Sequence, residues 1–244
     1  MIEPFQATFA VPFTCESCIQ DVSKAVKALP GITKVEGNLK DQLLLVEGTA
    51  APSAIVGAIQ GTGRDAILRG SGKSNSSCVS ILETHASVPN PIRGLARMVQ
   101  VSKNLTLVDL TINGLPPGRY WATVRETGDI SQGAASTGTI WEALLKQKLQ
   151  DNTPPRGVFG SVDVGENGKG NAFFDRPVAV WELIGRSMVV SKTEDGPFRQ
   201  DDPNTLVGVI ARSAGVWDNE KMVCTCSGKN AWEERKEQVL KGII

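Results

Sequence analysis

Residues 5–31, FQATFAVPFTCESCIQDVSKAVKALPG, contain the change of period that decides how this chain begins. Phe5 to Val11 alternates apolar and polar side chains as a half-buried strand does. Ile19, Val22, Val26 and Leu29 then recur at helical spacing, and Pro30-Gly31 stops the helix. Downstream, Ile32–Leu39 and Gln42–Glu47 predict a hairpin turned at Lys40-Asp41. Pro52 opens a second helix carrying Ile55, Val56 and Ile59, which ends at Gly61-Thr62-Gly63, and Asp65–Arg69 supplies a last short strand. The order β-α-β-β-α-β predicts a ferredoxin-like α+β domain over residues 1–70.

The stretch from Gly70 to Ser77, GSGKSNSS, is polar and flexible by composition, which places a linker at 71–77. From Cys78 to Ala214 the pattern changes to short β-rich segments separated by Gly, Pro, Asn and Asp. Val79–Leu82, Arg97–Val101, Leu105–Ile112, Tyr120–Val124, Ser187–Ser191 and Leu206–Ile210 are the clearest of them. They predict an all-β Greek-key sandwich or barrel over 78–214. Glu142–Arg156 reads as a charged insertion, a long loop with a helical turn. Residues 215–244 form a short tail that ends in the helix-forming AWEERKEQVL, Ala231–Leu240.

The 244 residues balance 26 Lys and Arg against 26 Asp and Glu, so no global field draws the chain to nucleic acid or an anionic membrane. No apolar run approaches the ~20 residues of a membrane span. The start, Met1-Ile2-Glu3-Pro4-Phe5, lacks the basic and apolar regions of a secretory signal. A reducing compartment, the cytoplasm by default, is therefore expected. GENGKG, 165–170, is a turn-rich loop without the strand–helix setting of a phosphate loop.

Four of the five cysteines fall into two close pairs, Cys15/Cys18 and Cys224/Cys226, and His85 is the sole histidine. Thiolates without imidazoles select soft ions, Cu(I) above all, or support thiol–disulfide exchange. Cys15 and Cys18 stand where the first strand gives way to the first helix, whose positive end favours thiolate. Two thiolates suit Cu(I), which accepts low coordination, better than four-coordinate Zn(II). In Cys224-Thr225-Cys226, residues two apart on extended chain point to one side, with α-carbons about 6.6 Å apart. They suit one soft ion, or a strained and readily exchanged disulfide. Cys78 reads as a small buried hydrophobe and His85 as a solvated loop residue.

VPFTCESC, the following β-α-β-β-α-β pattern and GTGRDAILRG resemble the heavy-metal-associated domain family. That family usually places Met two residues before the first Cys, under the loop; Phe13 stands there here. IRGLARMVQ, LTINGLPPGRYWATVRETGDIS, STGTIWE, WELIGRSMVVS and GVIARSAG resemble copper/zinc superoxide dismutase. The resemblance places that family's copper histidines at Thr123, Arg125, Ile140 and Ser191, the one at Ile140 being shared with zinc, and its other zinc ligands more loosely at Val158 and Ser161. Ala134 and Val207 stand where its intrasubunit disulfide would be. So the scaffold is kept and the dismutase centre is lost: no dismutase activity and no zinc in this domain are expected. In that family one face forms a two-fold dimer, and by alignment the face includes Gly185, Arg186, Val209, Ala211 and Arg212.

The three segments in this order resemble the copper chaperones for superoxide dismutase over essentially the whole chain. That resemblance implies that Cys15 and Cys18 carry Cu(I) and that the middle domain docks the target enzyme as a heterodimer, or itself as a self-dimer. Cys224 and Cys226 would insert copper and promote the target's disulfide. The mitochondrial intermembrane space is a second address consistent with that role. The residues alone also leave open a thiol oxidoreductase and a copper buffer or sensor. In none of these readings is the chain a dismutase.

Overall fold

The computed structural model describes residues 3–216 and 231–240. They fall into two compact units. One comprises the chain up to Ser77, Val99–Lys103 and the stretch from Ser213; the other comprises Cys78–Met98, Asn104–Arg212 and the helix from Trp232.

The first unit runs β1 Phe5–Ala10, α1 Glu16–Lys27, β2 Ile32–Asn38, β3 Leu43–Gly48, α2 Pro52–Gln60 and β4 Ile67–Ser71. Its antiparallel sheet has the order β2-β3-β1-β4, the ferredoxin-like arrangement. The stripe α1 buries is Cys18, Val22 and Val26, one side chain per turn. Ile19 lies at the edge of that stripe, over Gly37 of β2, where a Cβ would collide with its side chain. Pro52 takes the first position of α2, where its missing N–H costs nothing. The β2–β3 turn is longer than expected: Asn38 Oδ1 accepts from the Asp41 N–H at 3.0 Å, and Gln42 turns the chain with φ 53°. Strand β4 begins at Ile67 and continues to Ser71, into the expected linker, because its register on β1 extends to Ala7↔Ser71.

Phe13 is 2% exposed, so the aromatic ring occupies the underside of the β1–α1 loop. Phe13→Ala is expected to destabilise this unit by about 3–5 kcal/mol. Residues 5–71 hold no tryptophan, so hydrogen exchange of the β1 and β3 amides is the measurement; unchanged exchange there would contradict the packing.

The second unit runs β5 Ser77–Glu83, β6 Ile92–Ser102, β7 Leu105–Asn113, β8 Gly118–Val124, β9 Ser131–Ala134, α3 Ala143–Leu149, β10 Val158–Val164, β11 Lys169–Arg176, α4 Val180–Leu183, β12 Ser187–Ser191 and β13 Leu206–Arg212, with α5 Ala231–Leu240 beyond; Ser77 of β5 and the end of β6 from Val99 count with the first unit. Eight of these strands form one barrel-like antiparallel sheet, ordered β10-β8-β12-β13-β5-β6-β7-β11. The two end strands are consecutive in sequence and joined by the GENGKG turn, where Gly165 N–H donates to Lys169 O at 3.0 Å. Leu82, Val108, Leu110, Tyr120, Phe159, Leu183 and Val190 fill the interior. Strands β9, β10 and β11 are absent from the sequence reading. Strand β11 has a polar composition, and it is held by its eight-residue pairing with β7 and by Ala172 and Phe174 packing on the interior.

Candidate functional site

The β1–α1 loop delivers the thiol pair. Cys15 is the residue before α1, with extended backbone at φ −162° and ψ 168°, and Cys18 sits in the first turn. The Cys18 N–H donates to the Cys15 carbonyl at 3.1 Å. That turn brings the two Sγ atoms within 3.0 Å of each other. Cys15 is exposed and Cys18 buried, so the pair has an outer and an inner sulfur. The Ser17 hydroxyl lies 3.0 Å from Cys15 Sγ, and the Thr14 hydroxyl 3.2 Å from Cys18 Sγ.

The Thr14 hydroxyl, then the Cys15 thiol, the Thr14 backbone and the Arg64 guanidinium hold the Cys18 thiol down at about 6, against the opposing effect of burial. Thr14, Ser17 and Arg64 are the residues that sequence reasoning missed. A signal for Arg64 existed: it lies in GTGRDAILRG, and in a ferredoxin-like unit the α2–β4 loop returns to the end that holds the β1–α1 loop. There Arg64 Nη2 lies 3.8 Å from Asp21 Oδ2, while Nη1 donates to the Thr62 carbonyl at 3.2 Å.

The Cys18 thiol therefore titrates below its usual value of 9.0. Deprotonated Cys18 stabilises the folded unit; the effect is complete above the unfolded thiol's range and is lost as pH falls through about 6. An NMR titration of the Cys18 Cβ shift is expected to show a midpoint near 6, moved upward by Arg64→Ala or Thr14→Val. A midpoint at the ordinary thiol value of 9.0 would contradict this geometry.

In the second unit, the positions aligned with dismutase copper ligands lie on adjoining strands, but they carry the wrong donors. Thr123, Arg125, Ile140 and Ser191 are all buried, and Arg125 forms a bridge with Ile140. The Ser191 hydroxyl donates to the Thr193 carbonyl. Val158 and Ser161, in β10, are half-buried. Ala134 and Val207 pack together with Val189 in a small apolar cluster, so van der Waals contact fills the place of a disulfide. His85 is not the solvated residue expected: its side chain is 21% exposed, it packs on Gly133, and its Nε2 lies 3.8 Å from Glu83. The glycine at 133, at φ 61°, is what leaves room for the ring. Cys78 is buried with Sγ 3.8 Å from Met98 Sδ, and burial pushes its thiol up to about 12.

The residues aligned with the dismutase dimer face lie on two adjacent segments. Gly185 N–H donates to Ile210 O at 2.9 Å, and Ile210 N–H donates to Arg186 O at 2.8 Å. Val209 pairs with Ser187, Ala211 with Val79 and Arg212 with Cys78. The Arg186 guanidinium is occupied internally. It donates to the Glu126 carbonyl at 2.8 Å and the Glu182 carbonyl at 2.9 Å, and it lies over the Trp141 ring at 4.6 Å. Beside the exposed Arg212, this region presents large apolar side chains to solvent: Trp181 is 75% exposed, Ile81 56% and Val209 38%. Cys224 and Cys226 lie outside the described residues.

The heavy-metal-associated domain family matches residues 8–65, and the copper/zinc superoxide dismutase family matches residues 92–214. The chain is 41% identical over 254 residues to the superoxide dismutase 1 copper chaperone of Saccharomyces cerevisiae, covering 99% of this chain and 98% of that one. It is 32% identical over 242 residues to the copper chaperone for superoxide dismutase of Homo sapiens, covering 93% and 88%. Among solved structures, the copper(I)-loaded form of the first domain of the human copper chaperone is 38% identical, spans 28% of this chain and 97% of that domain, and gives a TM-score of 0.27. With both domain types matched in order and relatives similar from end to end, this chain belongs to the family of copper chaperones for superoxide dismutase.

Proposed function

We propose that this chain is a metallochaperone rather than an enzyme: it carries Cu(I) on Cys15 and Cys18 and hands it to a copper/zinc superoxide dismutase docked on residues 78–214. The observation that carries this reading is the inner-and-outer sulfur pair, 3.0 Å apart, with Cys18 held near 6. Both thiols lose their protons to a soft ion more readily when the inner one is already largely thiolate at neutral pH. Cys15, the exposed sulfur, is the ligand that an incoming thiolate displaces first, and low coordination leaves the ion open to that attack.

Docking uses Gly185, Arg186, Val209, Ala211 and Arg212, with Trp181 and Ile81 as apolar contacts. The same face pairs two copies of this chain when no target is present. Arg186 acts as a brace, holding Glu126, Glu182 and Trp141 in place under the face. Zinc has no place in this domain, because Ile140, Val158 and Ser161, at the aligned zinc positions, offer neither imidazole nor carboxylate. In the tail, 215–244, Cys224 and Cys226 receive the ion for insertion. In their disulfide form they accept two electrons from a target dithiol: a target thiolate attacks, a mixed disulfide forms, and the second target thiolate releases the reduced pair.

Copper stoichiometry under reducing conditions tests the assignment. The intact chain is expected to hold copper at both pairs, and Cys15→Ser/Cys18→Ser and Cys224→Ser/Cys226→Ser each to remove only their own share. Failure of the reduced chain to retain copper would overturn the proposal.

A further inference from the structure

Arg125 is a buried cation at the end of β8, and its contacts join segments far apart in sequence. Its side chain is 3% exposed. Nη2 donates to the Gly138 carbonyl at 2.6 Å and to Asp195 Oδ1 at 2.8 Å, and Nε donates to Gly138 O at 3.2 Å. The guanidinium lies 5.1 Å from the centre of the Phe198 ring. Its backbone N–H donates to Ser187 O at 2.9 Å. A guanidinium keeps its charge, and enclosing it is unfavourable unless acceptors and an opposite charge surround it. Here the Gly138 carbonyl and Asp195 supply both for Nε and Nη2, while Nη1 is left without a partner among the described residues, so the residue is placed for what it holds.

What it holds has little else. Residues 192–200 form no strand or helix and bury no side chain fully. Phe198 alone among them reaches an apolar cluster, that of Ala134, Val189 and Val207. In a dismutase, ligands at the positions of Thr123, Arg125, Ile140 and Ser191 would tie these same strands through a metal ion. We propose that Arg125 is a resident organic cation standing in for that ion: it clamps the 138–140 turn and the 192–200 segment to β8, so that the unit holds its shape without metal. Among the described residues, Nη1 of Arg125 and Oγ1 of Thr123 are buried without a hydrogen-bond partner, so the guanidinium fills this centre incompletely. The consequence for a carrier is direct: a recognition domain complete without copper does not compete for the copper it helps to deliver.

Lys192 and Arg199 lie within the clamped stretch, so native-state trypsin cleavage after them reads its opening. The experiment uses the full reduced chain with Arg125→Met, Arg125→Lys and Asp195→Asn. Arg125→Met, which keeps an unbranched apolar stem and loses the charge and its donors, is expected to speed cleavage at both sites roughly tenfold, and Arg125→Lys less. Asp195 is 54% exposed, so Asp195→Asn leaves the barrel intact and is expected to speed cleavage about threefold. Cleavage within residues 5–71 is expected not to change. With the four paired cysteines replaced by serine, zinc or a chelator is expected to leave every rate unaltered. Native cleavage rates in both Arg125→Met and Asp195→Asn would overturn the proposal, as would protection of this stretch by added zinc. Should Arg125→Met unfold the unit, Asp195→Asn decides.

Discussion

Replacing Cys15 and Cys18 together by serine is expected to lower Cu(I) affinity at the first unit by at least roughly a thousandfold, about 4 kcal/mol. The reason is ligand chemistry. A hydroxyl of ordinary acidity gives neither the charge nor the softness that Cu(I) takes from a thiolate. The fold should survive, because Cys15 is exposed and serine nearly matches the size of Cys18. Competition against a chromophoric Cu(I) chelator, with circular dichroism as the folding control, makes the measurement. Undiminished affinity in a folded variant would mean that the ion sits elsewhere.

Much of this site was legible because its parts are local. The switch from alternating period in Phe5–Val11 to helical period from Ile19 places any residue between them at a helix N-terminus. Cys15 and Cys18 follow from that alone. What was not legible came from topology and packing. The α2–β4 loop supplies Arg64 from far along the chain. The buried stripe of α1 includes Cys18 rather than Ile19, since the loop tucks the inner sulfur under it. In the second unit, strands with strong alternation, such as Leu105–Ile112, were readable. Strand β11, KGNAFFDR, was not, because its pairing with β7 outweighs its polar composition. The lost dismutase centre was readable position by position from the resemblance. That Arg125 fills it with a clamp could be seen only in three dimensions.

Trp181→Ala is expected to weaken the complex with superoxide dismutase by about 2–4 kcal/mol, roughly thirty- to a thousandfold in dissociation constant. An indole 75% exposed contributes little to its own fold, so the melting temperature should move by no more than about 1 °C. Large aromatic groups at the centre of an interface lose the most when truncated, because they bury the most area with few rotors to fix. Arg186→Ala serves as the contrasting variant. It is expected to reduce stability as well as binding, since it removes the contacts with Glu126, Glu182 and Trp141. Sedimentation of the mixed proteins separates the two effects. Unchanged association for Trp181→Ala would place the docking face elsewhere on the barrel.

The central claim is that sulfur carries the ion while the barrel recognises its recipient. Mixing the Cu(I)-loaded chain with copper-free, zinc-loaded, reduced superoxide dismutase and assaying dismutase activity tests both halves together. Activity is expected to rise with the amount of loaded chain, to remain when a chelator has removed free copper, and to be absent with Trp181→Ala at low concentration. Dismutase activity in the chain without its partner, or no activation of the partner above the copper-free control, would contradict the account.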